Sequence, residues 1–153
     1  MIHALSHVSL VVPDLSAAML RMRDVYGLTV GPVMVNEKQG VKMAYVELGN
    51  ARLELMEPQA SNPALMRFLD RHPQGGLHHV SLNVAALGAQ LAALSDHGIA
   101  SISATDALNV HGQSIAFIHP RDFCGALLEL EEDHPSQNHG LAPQNPHADH
   151  PVG

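Results

Sequence analysis

An internal repeat constrains the fold of this chain more than any other feature of its sequence. The segment His7–Leu10 reads His-Val-Ser-Leu, and the same four residues recur at His79–Leu82. Each copy is followed by an amphipathic stretch that ends at a glycine. Each half then closes on an apolar run around one glutamate, Glu54 in the first half and Glu129 in the second. The sequence therefore predicts two similar modules related by an approximate twofold axis.

Each module has the residue pattern of a βαβββ unit. Alternating apolar residues predict a strand over 5–12 and an equivalent strand over 77–84, each followed by a helix. Further strands are expected at residues 32–36, 42–48, 51–57, 100–104, 114–118 and 126–131, with a short helix at 63–71. We therefore predict an α+β fold in which two βαβββ modules form a curved mixed sheet around a shared site.

The composition sets the expected domain boundaries. One domain of residues 1–132 is predicted, with module one at about 1–58, a connection at 59–76 and module two at 77–132. Residues 133–153 are rich in His, Pro, Asn, Gln and Gly and have few apolar side chains, so they are predicted to form a disordered tail.

The repeat also predicts a metal site. The symmetry would bring His7, Glu54, His79 and Glu129 to one place, and a buried carboxylate is costly unless it is paired or coordinated. A lone histidine in a strand is more often a hydrogen-bonded structural residue, but four coincidences at matching repeat positions are improbable. His78 is the alternative to His79, because a shift of one residue would exchange their faces. Alignment of the two repeat copies favours His79, with His78 pointing to the other face.

Two imidazoles and two carboxylates suit a divalent ion such as Co, Mn, Ni, Zn or Fe(II). They neutralise the ion and leave two octahedral positions open for a substrate that binds through two oxygens. A structural zinc site would close its tetrahedron and would typically use cysteine. The ligand set therefore indicates a catalytic metal.

Charge and hydropathy exclude several kinds of partner. The formal net charge of −7 argues against nucleic acid and anionic membrane surfaces. No apolar stretch approaches the ~18 residues that a membrane helix needs. The single cysteine, Cys124, allows no intrachain disulfide, and the N-terminus lacks the basic start of a secretory signal. A cytoplasmic location is predicted, with a processed organellar protein as the alternative.

Several short strings carry a resemblance to a known family. They are Gly40–Lys42, Leu48–Asn50, Leu53–Pro58, Gly76–His79, His111–Gly112, Phe117–Arg121 and Gly125–Glu131. At these residues the sequence resembles the vicinal oxygen chelate (glyoxalase) superfamily, and within it the family of methylmalonyl-CoA epimerases. The resemblance covers about residues 3–132, and the strings occur in order and at the expected spacing.

The resemblance implies a function and roles for individual residues. It implies interconversion of (R)- and (S)-methylmalonyl-CoA by proton transfer at C2, through an enolate stabilised by a divalent metal. His7, Glu54, His79 and Glu129 would be the ligands, and Glu129 would also transfer a proton. Some members have a glutamate base where this chain has Lys42, so Lys42 is a candidate for the second proton-transfer group.

Further expectations concern the substrate and the assembly. The family contacts its acyl-CoA thioester substrate near the loop that contains His111 and Gly112, which are therefore candidate substrate-binding residues. Relatives are commonly dimers, so a homodimer is expected. Two other functions stay open at this point. One is a glyoxalase I-type lactoylglutathione lyase, which has a similar ligand pattern, and the other is a metal-free protein that binds and sequesters small molecules.

Overall fold

The computed structural model describes residues 1–133, so residues 134–153 of the predicted tail lie outside the described residues. The elements in chain order are β1 (Ile2–Val11), α1 (Leu15–Asp24), β2 (Thr29–Val30), β3 (Met34–Asn36), β4 (Val41–Glu47), β5 (Arg52–Pro58), α2 (Pro63–Arg71), β6 (Gly76–Val84), α3 (Leu87–Ser95), β7 (Ile115–Ile118), a 3-10 turn at Pro120–Asp122 and β8 (Leu127–Glu132). The longest of these helices has 10 residues, too few to cross a bilayer.

The described strands form one mixed sheet whose order reflects the repeat. The order is β2-β4-β5-β1-β6-β8-β7, with β3 also paired to β4. The two strands that carry the repeated motif, β1 and β6, are antiparallel at the centre of the sheet, and Val8 lies opposite Val80. On either side, β1 pairs in parallel with β5 and β6 pairs in parallel with β8. The predicted α+β fold of two related modules is confirmed.

The repeat extends to the way each helix begins. The carboxylate of Glu57 accepts a hydrogen bond of 2.7 Å from the amide of Leu15, the first residue of α1. Glu132 accepts one of 2.9 Å from the amide of Leu87, the first residue of α3. Each of these glutamates follows a predicted metal ligand by three residues. A carboxylate at a helix N-terminus satisfies a free amide and interacts favourably with the helix dipole.

One predicted strand is wrong. Residues 100–104 form only a single bridge, between Ser101 and Ile118. The hydroxyl of Ser103 accepts a hydrogen bond of 3.0 Å from the amide of Phe117, and it lies 2.8 Å from the hydroxyl of Ser101. The hydroxyl of Ser101 also accepts a bond of 3.2 Å from the amide of Ser103, so these side chains occupy amides that a strand ladder would use. In module one, β3 lies within the strand predicted over 32–36, and β2 is a further two-residue strand that was not predicted.

The two faces of the sheet have different partners. On the helix side of module one, Leu15 packs with Ala44, Val46 and Leu55. The equivalent side of module two buries Leu130, which packs among Leu87 and other apolar side chains of that half. On the opposite face a third apolar cluster joins β4, β5 and α2. This third cluster adjoins the four predicted metal ligands and positions them beside a cleft.

Candidate metal centre and cleft

The four predicted metal ligands converge on one buried point. The Nε2 atom of His7 lies 3.3 Å from Nε2 of His79. The same atom lies 3.6 Å from an oxygen of Glu54 and 3.5 Å from an oxygen of Glu129. Nε2 of His79 lies 3.8 Å from an oxygen of each carboxylate. All four residues are at most 5 % exposed.

The strand register explains why residues so far apart in sequence meet. Across the antiparallel β1–β6 pair, His7 lies opposite Ser81, and Ser9 lies opposite His79. In the parallel pairs, Ser9 is the neighbour of Glu54 and Ser81 is the neighbour of Glu129. Side chains two residues apart on a strand share a face, so each His-x-Ser segment places its histidine beside the other module's serine.

Of the three register shifts between β1 and β6, the two nearest the site alter the alternation expected from the sequence. Between Leu5 and His7 of β1 the partner strand advances by only one residue, from Leu82 to Ser81, which makes Ser6 the extra residue. The equivalent shift between Ser9 and Leu10 makes His78 the extra residue of β6. Each bulge directly precedes a ligand histidine.

The bulges overturn the predicted orientation of His78. Simple alternation was expected to turn His78 to the face opposite His79, but His78 lines the cleft together with His79. Ser6 and His7 are likewise both buried, although they are consecutive in the strand. An extra residue in a strand rotates the side chains near it, so neighbours can point to one side.

Burial makes the neutral forms of the four groups favourable in the absence of a cation. Burial, and to a smaller degree the charge of Arg52, lowers the pKa of His7 from 6.5 to about 3. Burial lowers the pKa of His79 well below its ordinary value. Burial raises the pKa of Glu54 from 4.5 to about 7 and the pKa of Glu129 well above its ordinary value. A cation held between the four groups would offset this cost of desolvation.

The donor set and its spacing fit a divalent metal ion. Atoms about 2.1 Å from one ion lie about 3.0 Å apart when adjacent and about 4.2 Å apart when opposite. The distances between the described donors fall in this range. Among residues 1–133, the ion pairs of Glu54 and Glu129 involve only the two histidines, so no Lys or Arg neutralises these carboxylates. The residues therefore fit a metal.

The hydroxyls beside the two carboxylates differ. Ser81 donates a hydrogen bond of 2.9 Å to Glu129. Its repeat equivalent, Ser9, is fully buried and makes no hydrogen bond of ordinary geometry with the described residues. Glu54 instead accepts a bond of 3.3 Å from the hydroxyl of Tyr45. The carboxylate of Glu54 is thus hydrogen-bonded from β4, and that of Glu129 from β6.

A cleft of about 350 Å³ opens beside the four donors. Its apolar wall includes Val41, Met43, Met56, Leu65 and Phe117, and its polar wall includes Gln39, Asn62, Ser103, Asn109 and His78. The described lining contains no Lys or Arg. Among the described lining residues, an anionic group of a substrate would therefore find positive charge only in a cation held by the four donors.

The structure does not bring Lys42 to this cleft. Lys42 lies on β4 between Val41 and Met43, which both line the cleft, so its side chain points to the opposite face. It is exposed, and its Nζ atom lies 3.9 Å from a carboxylate oxygen of Glu57. The alternation of β4 thus places the ammonium beside helix α1 rather than beside the metal ligands.

The predicted substrate-binding residues lie at the edge of the site. The exposed ring of His111 stacks on Tyr45, with centroids 5.9 Å apart and an angle of 19°. Gly112 adopts a φ of 78° in the turn of this loop, a conformation that suits glycine. Neither residue lines the cleft, whereas Asn109 and Val110 of the same loop do.

Sequence reasoning missed several residues of the site. Tyr45 is the strand partner of Glu54 and bonds it, and Glu131 is 2 % exposed and lies near His7. Glu131 could have been noticed because it follows Glu129 by two residues and so shares its face. Tyr45 could have been found from the Gly49-Asn50 turn, because a two-residue hairpin loop sets a register that places residue 45 opposite residue 54.

Comparison with known proteins identifies the family. Residues 6–117 match the Glyoxalase/Bleomycin resistance protein/Dioxygenase superfamily. Mouse mitochondrial methylmalonyl-CoA epimerase is 38% identical over 128 residues, which are 84% of this chain and 72% of the mouse protein. The ethylmalonyl-CoA/methylmalonyl-CoA epimerase of Cereibacter sphaeroides is 35% identical over 133 residues, or 86% of this chain and 99% of that protein. The chain belongs to the methylmalonyl-CoA epimerase family.

A solved structure of this family has the same fold. A variant of Streptomyces coelicolor methylmalonyl-CoA epimerase, in complex with 2-nitronate-propionyl-CoA, superimposes with a TM-score of 0.79 at 29% identity. The match covers 86% of this chain and 98% of the Streptomyces chain. The resemblance to methylmalonyl-CoA epimerases that the sequence indicated is therefore confirmed.

Proposed function

We propose that this protein interconverts (R)- and (S)-methylmalonyl-CoA by moving a proton at C2 of the malonyl unit. Two relatives that this chain resembles along most of its length are named for this activity. The Streptomyces structure holds an acyl-CoA analogue, which supports an acyl-CoA thioester as the substrate class. The reaction requires that the C2–H bond become more acidic and that a side chain remove the proton and return it.

His7, Glu54, His79 and Glu129 are the proposed ligands of the divalent ion. The superfamily typically binds such an ion, and the donor set suits Co, Mn, Ni, Zn or Fe(II). When bound, the ion would supply positive charge that stabilises negative charge developing on the substrate. The residues of the chain hold this charge in a buried place, where electrostatic interactions are stronger than in water.

One observation carries the proposal. The four buried donors meet at the side of a cleft whose described lining has no Lys or Arg. A malonyl thioester has a carboxylate that needs a cation, and its carbonyl must be polarised before C2 loses a proton. The four donors would hold a cation that could meet both needs at one position, whereas no Lys or Arg is among the described side chains that line the cleft.

Glu129 is the proposed proton-transfer group on one face of C2. It lines the cleft, and its hydrogen bond from Ser81 fixes one carboxylate oxygen. In the metal-free protein burial raises the pKa of Glu129, and a higher pKa makes a carboxylate a stronger base. Lys42 is not proposed for the second face, since it points away from the cleft.

Isotope exchange tests the proposed function. Metal-loaded protein in deuterium oxide is expected to place deuterium at C2 of methylmalonyl-CoA, and removal of the metal with EDTA should abolish the exchange. Turnover of the methylglyoxal–glutathione adduct without exchange at C2 would overturn the proposal in favour of a glyoxalase I-type lyase. Stoichiometric binding of small molecules without turnover of either substrate would favour a sequestering protein.

The location and the assembly stay predictions. A cytoplasmic location and a homodimer are proposed on the grounds of sequence and family alone. Size-exclusion chromatography with light scattering measures the mass in solution, and a single-chain mass near 16.4 kDa would contradict the dimer.

A further inference from the structure

Each bulged residue contacts the far nitrogen of the ligand histidine that follows it. The hydroxyl oxygen of Ser6 lies 3.0 Å from Nδ1 of His7. Nδ1 of His78 lies 2.9 Å from Nδ1 of His79. In a regular strand, consecutive side chains point to opposite faces and could not make these contacts. Each bulge therefore places a polar side chain against Nδ1 of the ligand histidine that follows it, at equivalent positions of the repeat.

The direction of these hydrogen bonds follows from the role of the other ring nitrogen. In both histidines Nε2 points at the shared donor cluster, and a neutral imidazole that ligates through Nε2 carries its proton on Nδ1. Nδ1 of His7 then donates to Ser6, and Nδ1 of His79 donates to His78. Ser6 and His78 are thus acceptors, and His78 carries its own proton on Nε2.

The hydroxyl of Ser6 contacts the buried carboxylate of Glu131, which has no counterpart in the other module. Ser6 accepts from His7 and donates its own proton to Glu131 over 3.2 Å. The second oxygen of Glu131 accepts a hydrogen bond of 3.1 Å from the side-chain amide of Asn109, which lines the cleft. The repeat position of Glu131 in module one is Met56, which is apolar. The support of His7 therefore ends on a carboxylate, and the support of His79 ends on a second imidazole.

We propose that Ser6, backed by Glu131, and His78 are positioning residues that hold His7 and His79 as Nδ1–H tautomers with Nε2 ready to bind metal. The inference rests on the proposed metal site, and it predicts the same tautomers in the metal-free protein, where they can be measured separately. Partners of this kind fix the orientation of a ligating imidazole and raise its basicity. Because Ser6 donates to the carboxylate of Glu131, its oxygen becomes a stronger acceptor for Nδ1–H of His7.

The first experiment examines the metal-free protein. Long-range ¹H–¹⁵N NMR of the imidazoles at neutral pH is expected to show Nδ1–H tautomers for His7 and His79. In Ser6→Ala the shift of the His7 ring should change and that of His79 should not. In His78→Leu the opposite should hold. Nε2–H tautomers for both histidines in the unsubstituted protein would overturn the inference, whether or not the protein binds metal.

The second experiment measures metal affinity by calorimetry with Co²⁺ or Zn²⁺. Ser6→Ala and His78→Leu are each expected to weaken binding by about 10- to 100-fold. His78→Asn should recover much of this loss, because its amide oxygen replaces Nδ1 as the acceptor. Glu131→Gln should weaken binding less than Ser6→Ala, since the amide oxygen still accepts from Ser6. The exposed residues Ser16 and His97 provide the controls Ser16→Ala and His97→Leu, which should bind as the unsubstituted protein does.

The outcomes separate this inference from the proposed function. If the unsubstituted protein binds no divalent metal, the proposed function fails. The NMR measurement of the tautomers in the metal-free protein still tests the inference. If the protein binds metal and both Ser6→Ala and His78→Leu bind it equally well, the inference fails and the proposed function stands. Circular dichroism identifies a variant that does not fold. The metal affinity is then compared only within a pair whose two members both fold, either His78→Asn with His78→Leu or Ser6→Thr with Ser6→Ala.

Discussion

The Nε2 atoms of His7 and His79 lie 3.3 Å apart, although 72 positions separate the two residues in the chain. They meet because β1 and β6 are antiparallel neighbours around Val8 and Val80. Two buried imidazoles at this distance have no room for a proton each on the facing nitrogens. The carboxylates of Glu54 and Glu129 lie within 3.8 Å of these nitrogens, so a cation bound there would have all four groups as neighbours.

Loss of a carboxylate ligand should abolish activity. Glu54→Gln and Glu129→Gln each remove a negative charge and an anionic donor from the metal centre, and we expect C2 exchange to fall by about 10²-fold or more. Metal content, measured by mass spectrometry after dialysis, should fall in parallel. Glu57→Gln is the matched control, since Glu57 bonds the start of helix α1 and its amide can still accept there. Full activity in Glu54→Gln would contradict the ligand assignment.

Removal of the Lys42 ammonium should leave the reaction nearly unchanged. Lys42→Met keeps the length of the side chain and removes only its charge, which lies on the helix side of β4. We expect kcat and KM for methylmalonyl-CoA within about twofold of the unsubstituted values, because isolated surface ion pairs contribute little. A loss comparable to that of Glu129→Gln would show that Lys42 reaches the substrate after all.

Metal affinity should rise with pH through the neutral range. In the metal-free protein the pKa of Glu54 is raised to about 7, so below that pH a proton competes with the metal for this carboxylate. The pKa of His7 is lowered to about 3, so this imidazole does not compete at neutral pH. Calorimetry between about pH 5.5 and 8 should therefore show tighter binding at higher pH and net release of protons. Affinity that is independent of pH would contradict the raised pKa.

The stability of the metal-free protein has two opposing contributions. Glu54 holds a proton more tightly in the folded state, so its contribution is present below pH 4.5 and is lost as the pH rises toward about 7. His7 holds a proton less tightly in the folded state, so its contribution is present above pH 6.5 and is lost as the pH falls toward about 3. Above pH 7, added metal should therefore raise the midpoint of thermal unfolding more than it does at pH 5.5.

The two modules should respond alike to loss of equivalent core side chains. Leu55 and Leu130 each follow a proposed ligand glutamate, and both are completely buried. Leu55→Ala and Leu130→Ala are each expected to lower the free energy of unfolding by about 2–5 kcal/mol. Leu20→Ala on the exposed side of helix α1 is the control and should change it by less than about 0.5 kcal/mol. Urea unfolding of the EDTA-treated variants measures these differences without the contribution of metal binding.

Much of the fold and of the candidate site followed from the repeated strings. Because the same apolar and polar pattern occurs twice, equivalent strands had to be placed in equivalent positions, and His7, Glu54, His79 and Glu129 followed by symmetry. The prediction was wrong for residues 100–104, where Ser101 and Ser103 bond the backbone in place of a strand ladder. Short polar side chains of this kind compete with sheet pairing, and their pattern alone does not show which wins.

The sequence by itself determined the duplication and, through it, which four side chains lie together, since a two-residue period fixes the face of each residue in a regular strand. Only the tertiary structure decided what surrounds them. The bulges at Ser6 and His78 arise from the register between β1 and β6, and a local pattern contains no information about that register. For the same reason, only the tertiary structure showed that Lys42 points away from the cleft and that Glu131 lies near His7.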